Sequence, residues 1–197
     1  MRLQPHRGEE TCGQGLRRDR ETCGEPGGRP NKLLQRKFAA ALHAIPSQGH
    51  EPAMTLVVIA TICAGLFSGA ALYINLVEHP ARLACGSELA VREFAPSYKR
   101  ATFLQVPLAL VGSLAGGVGA WRQANLYLLA ASLLLAAVVP FTLVVILPTN
   151  HQLLDPALDP KSDKAAALLS RWGRLHAVRT LLSLLAFLIF VWQLAAG

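Results

Sequence analysis

Residues 125–147 read NLYLLAASLLLAAVVPFTLVVIL, twenty-three residues without one charged side chain. As a helix, about 20 apolar residues cover the roughly 30 Å of bilayer hydrocarbon. With no water there, every backbone N–H and C=O must pair within its own segment, so the run predicts a membrane-spanning helix. Three more runs flank it. Thr55–Val77 and Phe103–Ala120 carry no charge, and His176–Ala195 carries only Arg179, near its start. Pro107 is expected in the first turn of the second helix, where proline is tolerated. Pro140 is expected to kink the third.

Loop lengths set the topology. Trp121–Ala124 is a tight hairpin between helices two and three, whereas Glu78–Thr102 and Pro148–Leu175 read as longer connections on the other side. Ser162 is a plausible N-cap for an amphipathic extension that starts at Asp163 and runs into the fourth helix. The expected fold is all-α: an integral membrane antiparallel four-helix bundle over residues 54–197. Residues 1–53, rich in Gly, Arg, Glu and Pro, read as a disordered tail with one weak amphipathic stretch, Lys32–Ala44. The tail has neither the apolar core of a secretory signal nor the acid-poor composition of a transit peptide. Met54 stands directly before the first run, so the tail is expected to be either a dispensable extension or the product of an upstream start that the main product lacks.

Composition narrows the classes further. Hydrophobic residues make up 52% of the chain and charged residues 16%, below the roughly 25% of soluble domains. An ordinary soluble enzyme is excluded. Four cysteines at irregular spacing exclude a disulfide-stapled mini-protein, and Cys12 and Cys23 lack the spacing of a zinc site. The net charge of +7 comes without a basic, aromatic-laced patch, so no nucleic-acid partner is expected. Arg82, Arg92, Lys99 and Arg100 fall in one long connection, and Lys161, Lys164, Arg171 and Arg174 in the other. The short turn has only Arg122. Both long connections should therefore face the cytosol and both termini the opposite side, where Trp121, Tyr127 and Trp192 form an aromatic belt. Gly65 with Gly69, and Gly112 with Gly116, are spaced for close helix approach, within the bundle or in a homo-oligomer.

The polar residues inside the runs converge on the long-connection end. Asn75, Glu78, His79 and Arg82 share about 100° of helix face, and Trp172, His176 and Arg179 about 60°. Gln105 opens the second helix. Thr142, Asn150 and His151 close the third. Ionisable groups in a membrane segment face the bundle interior by default, so a polar pocket is expected there. Simpler readings stand beside each residue. Arg179 could snorkel to the interface, Trp172 could anchor there, Asn150 could cap its helix, and His79 before Pro80 could be ordinary loop.

Several chemistries fit poorly. No carboxylate lies in the central span, which disfavours a transporter or pump. No CxxC, phosphate loop, dinucleotide fingerprint or GxSxG is present. His79, His151 and His176 could in principle hold haem or a metal, but two lie at helix ends and lack spaced carboxylate partners, so neither metal nor cofactor is expected. General base chemistry remains. His176 could remove a proton from an acidic carbon or phenol, and Arg179 could hold the oxyanion.

Three further patterns carry a resemblance. Pro140-Phe141-Thr142 with Leu147-Pro148-Thr149-Asn150 and Leu153, followed by Trp172-Gly173-Arg174-Leu175-His176-Ala177-Val178-Arg179, is similar to the anthrone oxygenase-like family of small four-helix membrane proteins. Gly65-Leu66-Phe67-Ser68-Gly69 leading to Asn75, and Tyr98-Lys99-Arg100-Ala101 leading to Gln105, extend the likeness over about residues 55–195. The resemblance implies oxidation of anthrones to anthraquinones by molecular oxygen, without metal or flavin. It implies roles for Trp172, Asn150 and Arg179. His176 stands where relatives can carry Asn, which leaves His151 and Glu78 as other candidate bases. Catalytic candidates are thus His176, Arg179, Trp172 and Asn150, and substrate-binding candidates Asn75, Glu78, His79, Gln105, Thr142 and His151. The alternative to an oxygenase of a flat phenolic substrate is a membrane scaffold that binds a lipid or partner helix through its glycine faces.

Overall fold

The computed structural model describes residues 51–196, and the expectations for residues 1–50 lie outside them. All regular structure among the described residues is helical. Helix α1 (Glu51–Tyr73) passes through a π turn, Ile74–Glu78, into α2 (His79–Ala84). Gly86 then reverses the chain at φ +93°, a conformation that side chains with a Cβ rarely adopt. Helix α3 (Ser87–Gln123) is continuous over 37 residues. Helix α4 (Leu126–Phe141) runs through a second π turn, Thr142–Ile146, into α5 (Leu147–Leu153), and α6 (Asp163–Ala196) completes the fold.

The helices outrun the apolar segments. Glu78–Thr102, expected as a loop, is helical except at Cys85–Gly86, and Pro107 lies deep inside α3 rather than in a first turn. Several of the polar residues that masked this helicity pair along or between helices, as Glu78, Arg82, Glu93 and Ser97 do, and Arg92 with Glu88. The irregularity expected at Pro140 is found two residues later, as the second π turn. Each π turn precedes a further proline. Pro80 and Pro148 each clash, in a regular helix, with the carbonyl four residues earlier, at Leu76 and Val144. Both of those residues lie within a π turn, whose wider coil relieves the clash.

Caps hold the ends. Asn125 Oδ1 accepts from the backbone N–H of Tyr127 at 2.9 Å and of Leu128 at 3.2 Å, and its amide donates to Gln193 Oε1. Ser162 Oγ accepts from Ala165 N–H at 3.2 Å, the N-cap expected from sequence.

Contacts define an antiparallel ring. Gly119 meets Val57 while Gly112 meets Ala60 and Cys63. Gly116 meets Ser132 while Gly112 meets Leu135. Gly65 meets Phe187 while Asn75 bonds Thr180. Of the four glycines singled out in the sequence, Gly65, Gly112 and Gly116 pack tightly and Gly69 faces open space. The interior is dominated by small residues, with Ala60, Ala64, Ala71, Ala131 and Ala186 fully buried. The exterior is the reverse: Phe103 is 87% exposed, Val144 73%, Leu76 and Leu114 68%. So large an apolar surface is stable only against lipid. Four spans, Ala53–Ala84, Ser87–Gln123, Leu126–Leu153 and Asp163–Ala196, are long and apolar enough to cross a membrane. The chain is a multi-pass membrane protein. At its hairpin end Tyr127 packs edge-on against Trp192, beside an exposed Trp121.

Candidate functional site

A cavity of about 120 Å³ opens between the four spans in their long-connection half. Both π turns line it, the first through Ile74 and Glu78, the second through Thr142, Leu143 and Ile146. Such turns recur at functional sites because they redirect side chains that a regular helix would space evenly. Among the expected residues, Glu78, Gln105, Thr142, Asn150, Trp172, His176 and Arg179 lie on its wall. Asn75 and His79 stand behind the wall and instead border a shallow outer groove between the first and last spans. His151 is exposed and takes no part.

Arg179 forms the deep end. Its guanidinium lies over the Phe67 ring, 5.0 Å from the centroid, and donates through Nη2 to Gln105 Oε1. Its Nε is buried without a partner, and among the described residues no carboxylate pairs with it. A membrane-embedded cation satisfied only by an amide and an aromatic face leaves positive potential in the cavity.

His176, one turn above, is held by a directional chain. Thr180 Oγ1 donates to backbone carbonyls, those of His176 at 3.1 Å and Ala71 at 3.3 Å. It therefore accepts from Asn75 Nδ2 at 2.7 Å. That fixes the Asn75 amide so that Oδ1 faces His176 Nδ1 at 3.1 Å. An amide oxygen only accepts, so Nδ1 carries the hydrogen and Nε2 the lone pair. No described residue bonds Nε2. Asn75 thus sets the tautomer of His176 from outside the cavity.

Trp172 stacks on His176 with ring centroids 4.7 Å apart, and Phe94 meets its edge at 5.5 Å. Its indole N–H is buried without a partner, as is Asn150 Oδ1 across the cavity wall. The interfacial-anchor reading of Trp172 is thereby replaced by a wall position. His79 is buried against the same indole, at 5.1 Å, with Gly173 beneath its Nε2. The Leu169 backbone is near the His79 ring, but neither ring nitrogen reaches a partner in hydrogen-bond geometry.

An ion cluster around the buried Arg82 closes the shallow end. Arg82 Nη2 bonds Glu78 Oε1 and Ser97 Oγ, and its Nε donates to Glu93 Oε2 at 3.0 Å. Ser97 also donates to Glu78 Oε1 at 2.9 Å. Glu78, Arg82 and Ser97 all reach the cavity wall. The i, i+4 spacing of Glu78 and Arg82 made that pair visible in the sequence. Ser97, Tyr98, Phe94 and Phe67 were missed as wall residues, since nothing local distinguishes a cavity-facing aromatic from a core one. Among the described residues, no three His, Cys, Asp or Glu gather as a metal would require.

A family model described as anthrone oxygenase matches residues 94–189. The chain carries an anthrone oxygenase-like domain. The match starts at Phe94, so it is shorter than the stretch of about 55–195 suggested by the motifs. Within it fall the expected residues of the last three spans, from Gln105 to Arg179. Asn75, Glu78 and His79 lie outside. No curated protein and no solved structure matches the chain.

Proposed function

We propose that this anthrone oxygenase-like protein is a cofactor-independent oxygenase of flat, phenolic, hydrophobic molecules that enter from the bilayer. The observation that carries the reading is the presence, on one cavity wall, of the His176 lone pair and an Arg179 guanidinium that no carboxylate among the described residues neutralises.

The chemistry follows from that pair. His176 Nε2 removes a proton from a carbon acidified by a ring carbonyl, and Arg179 holds the enolate oxygen that forms. The carbanion passes one electron to molecular oxygen. The resulting radicals combine into a C–O bond, and the peroxide takes up a proton. Loss of the second C–H proton breaks the O–O bond. A carbonyl forms and water leaves, so each turnover uses one O2 and replaces two C–H bonds by one C=O. Apolar walls from Phe67, Val138 and Ile146 exclude water from the intermediate. A partner helix docked through the glycine faces is the weaker reading, because Gly65, Gly112 and Gly116 are packed inside the bundle and only Gly69 of the four is open.

Oxygen uptake by metal-stripped, detergent-solubilised protein with an anthrone tests the proposal. Uptake should survive chelation and fall by about 10²-fold or more in His176→Ala, the scale of a lost general base. Uptake no faster than the uncatalysed background would reject the substrate class.

A further inference from the structure

Among the described residues, the cavity has two poles that differ in what they offer a ligand, a free carboxylate oxygen beside a paired Arg82 at one and an unpaired guanidinium at the other. At the deep pole are Arg179 and Gln105. At the shallow pole is Glu78, whose Oε1 is taken up by Arg82 and Ser97 while no described residue bonds its Oε2. Two independent helices give the spacing. His79, next to Glu78, packs on Trp172 and Gly173, which places Glu78 at their level on α6, about seven residues or roughly 10 Å from Arg179. On α3, Ser97 and Gln105, the respective partners of the two poles, are eight residues apart, roughly 12 Å. His176 lies between the poles.

We infer that Glu78 is a specificity-determining residue, which selects ligands bearing a donor hydroxyl roughly 5–6 Å from the central-ring oxygen that Arg179 holds, the spacing of the poles less one hydrogen-bond length at each end. This rests on the reading of the cavity as the substrate site. A carboxylate oxygen accepts from a phenolic O–H and repels a carbonyl or phenolate, whereas the guanidinium does the opposite. A flat ligand with unlike ends is therefore held in one direction, its central ring beside His176.

The test uses redox-inert probes in lipid nanodiscs. Binding of 2-hydroxyanthraquinone and unsubstituted anthraquinone is followed by quenching of Trp172 in a Trp121→Phe, Trp192→Phe background. The hydroxy probe reaches Arg179 through a quinone oxygen and Glu78 through its hydroxyl, and should bind wild type about tenfold more tightly, the scale of one charge-assisted hydrogen bond. Glu78→Gln should remove that advantage and leave anthraquinone unchanged, while Arg179→Gln weakens both. Glu78→Asp, which keeps the charge opposite Arg82 but withdraws the oxygen, should behave as Glu78→Gln and guards against misfolding of one variant. Equal binding of the two probes to wild type, or equal losses for both in Glu78→Gln, would overturn the inference. The expected binding pattern without oxygen uptake from an anthrone would sustain it and reject oxygenation alone.

Discussion

The amide oxygen of Asn75 lies 3.1 Å from Nδ1 of His176, a contact between the first and last spans. Asn75 does not face the cavity, so it acts as a positioning residue. Asn75→Ala should leave the bundle folded, mix the His176 tautomers and slow turnover by less than the roughly 10²-fold of a lost general base. Nitrogen-15 spectra of labelled histidine should show Nδ1–H in wild type and averaging in the variant. An unchanged spectrum would contradict the chain from Thr180 to the ring.

Arg179 should be functional at the expense of stability. Arg179→Met should reduce turnover by about 10²-fold, as for a lost oxyanion donor. Combined with Gln105→Leu, so that no buried amide is left alone, it should stabilise the bundle by about 1 kcal/mol, because an apolar pair replaces a desolvated cation. Thermal unfolding of the double variant below that of wild type would count against this account.

The glycines should divide by position. A Cβ on Gly116 would lie 2.5 Å from Ser132 Oγ and 2.6 Å from Phe190, whereas one on Gly69 meets nothing within 4 Å. Gly116→Ala should destabilise by about 1–3 kcal/mol through overpacking. Gly69→Ala should be neutral or stabilise by up to about 1 kcal/mol through helix propensity. Unfolding midpoints of the two variants provide the comparison.

The ion cluster should outweigh the surface pairs. Arg82, with a side chain only 3% exposed, stands between two carboxylates. Arg82→Gln should lose about 2 kcal/mol, less than a fully buried pair because Glu93 is half-exposed. Arg92→Ala, which breaks an exposed pair with Glu88, should lose only a few tenths.

Orientation can be read from a thiol. Cys85 is exposed in the bend between α2 and α3, while Cys63 is buried. With Cys12 and Cys23 replaced by Ser, an impermeant maleimide should label Cys85 from the cytosolic face only, as the Lys/Arg distribution requires. Labelling from the opposite face would invert the topology.

How much was legible follows from the same residues. The four spans were visible because runs such as Asn125–Leu147 have no soluble interpretation. The helix ends were not, because hydropathy cannot distinguish a loop charge from one paired along a helix, as Arg92 is with Glu88 or Arg82 with Glu78. The pocket end was visible from the depth of Asn75, Gln105 and His176. The direction in which each side chain faces was not. His79 fell behind Trp172 and His151 outside, since the π turns alter the angular spacing on which face arguments rest.

Those turns have a further consequence. A π turn adds one residue to a helical coil, and one added residue rotates everything beyond it by about 100°. The first and third spans thus each carry two angular phases. The phase nearer the hairpin end keeps Gly112 and Gly116 seated against Leu135 and Ser132. The first turn itself presents Glu78 to the cavity, and the phase beyond the second presents Asn150. Substitutions above the turns can therefore change what the cavity recognises without re-registering the seam below, which lets ligand preference diverge while the membrane scaffold stays the same.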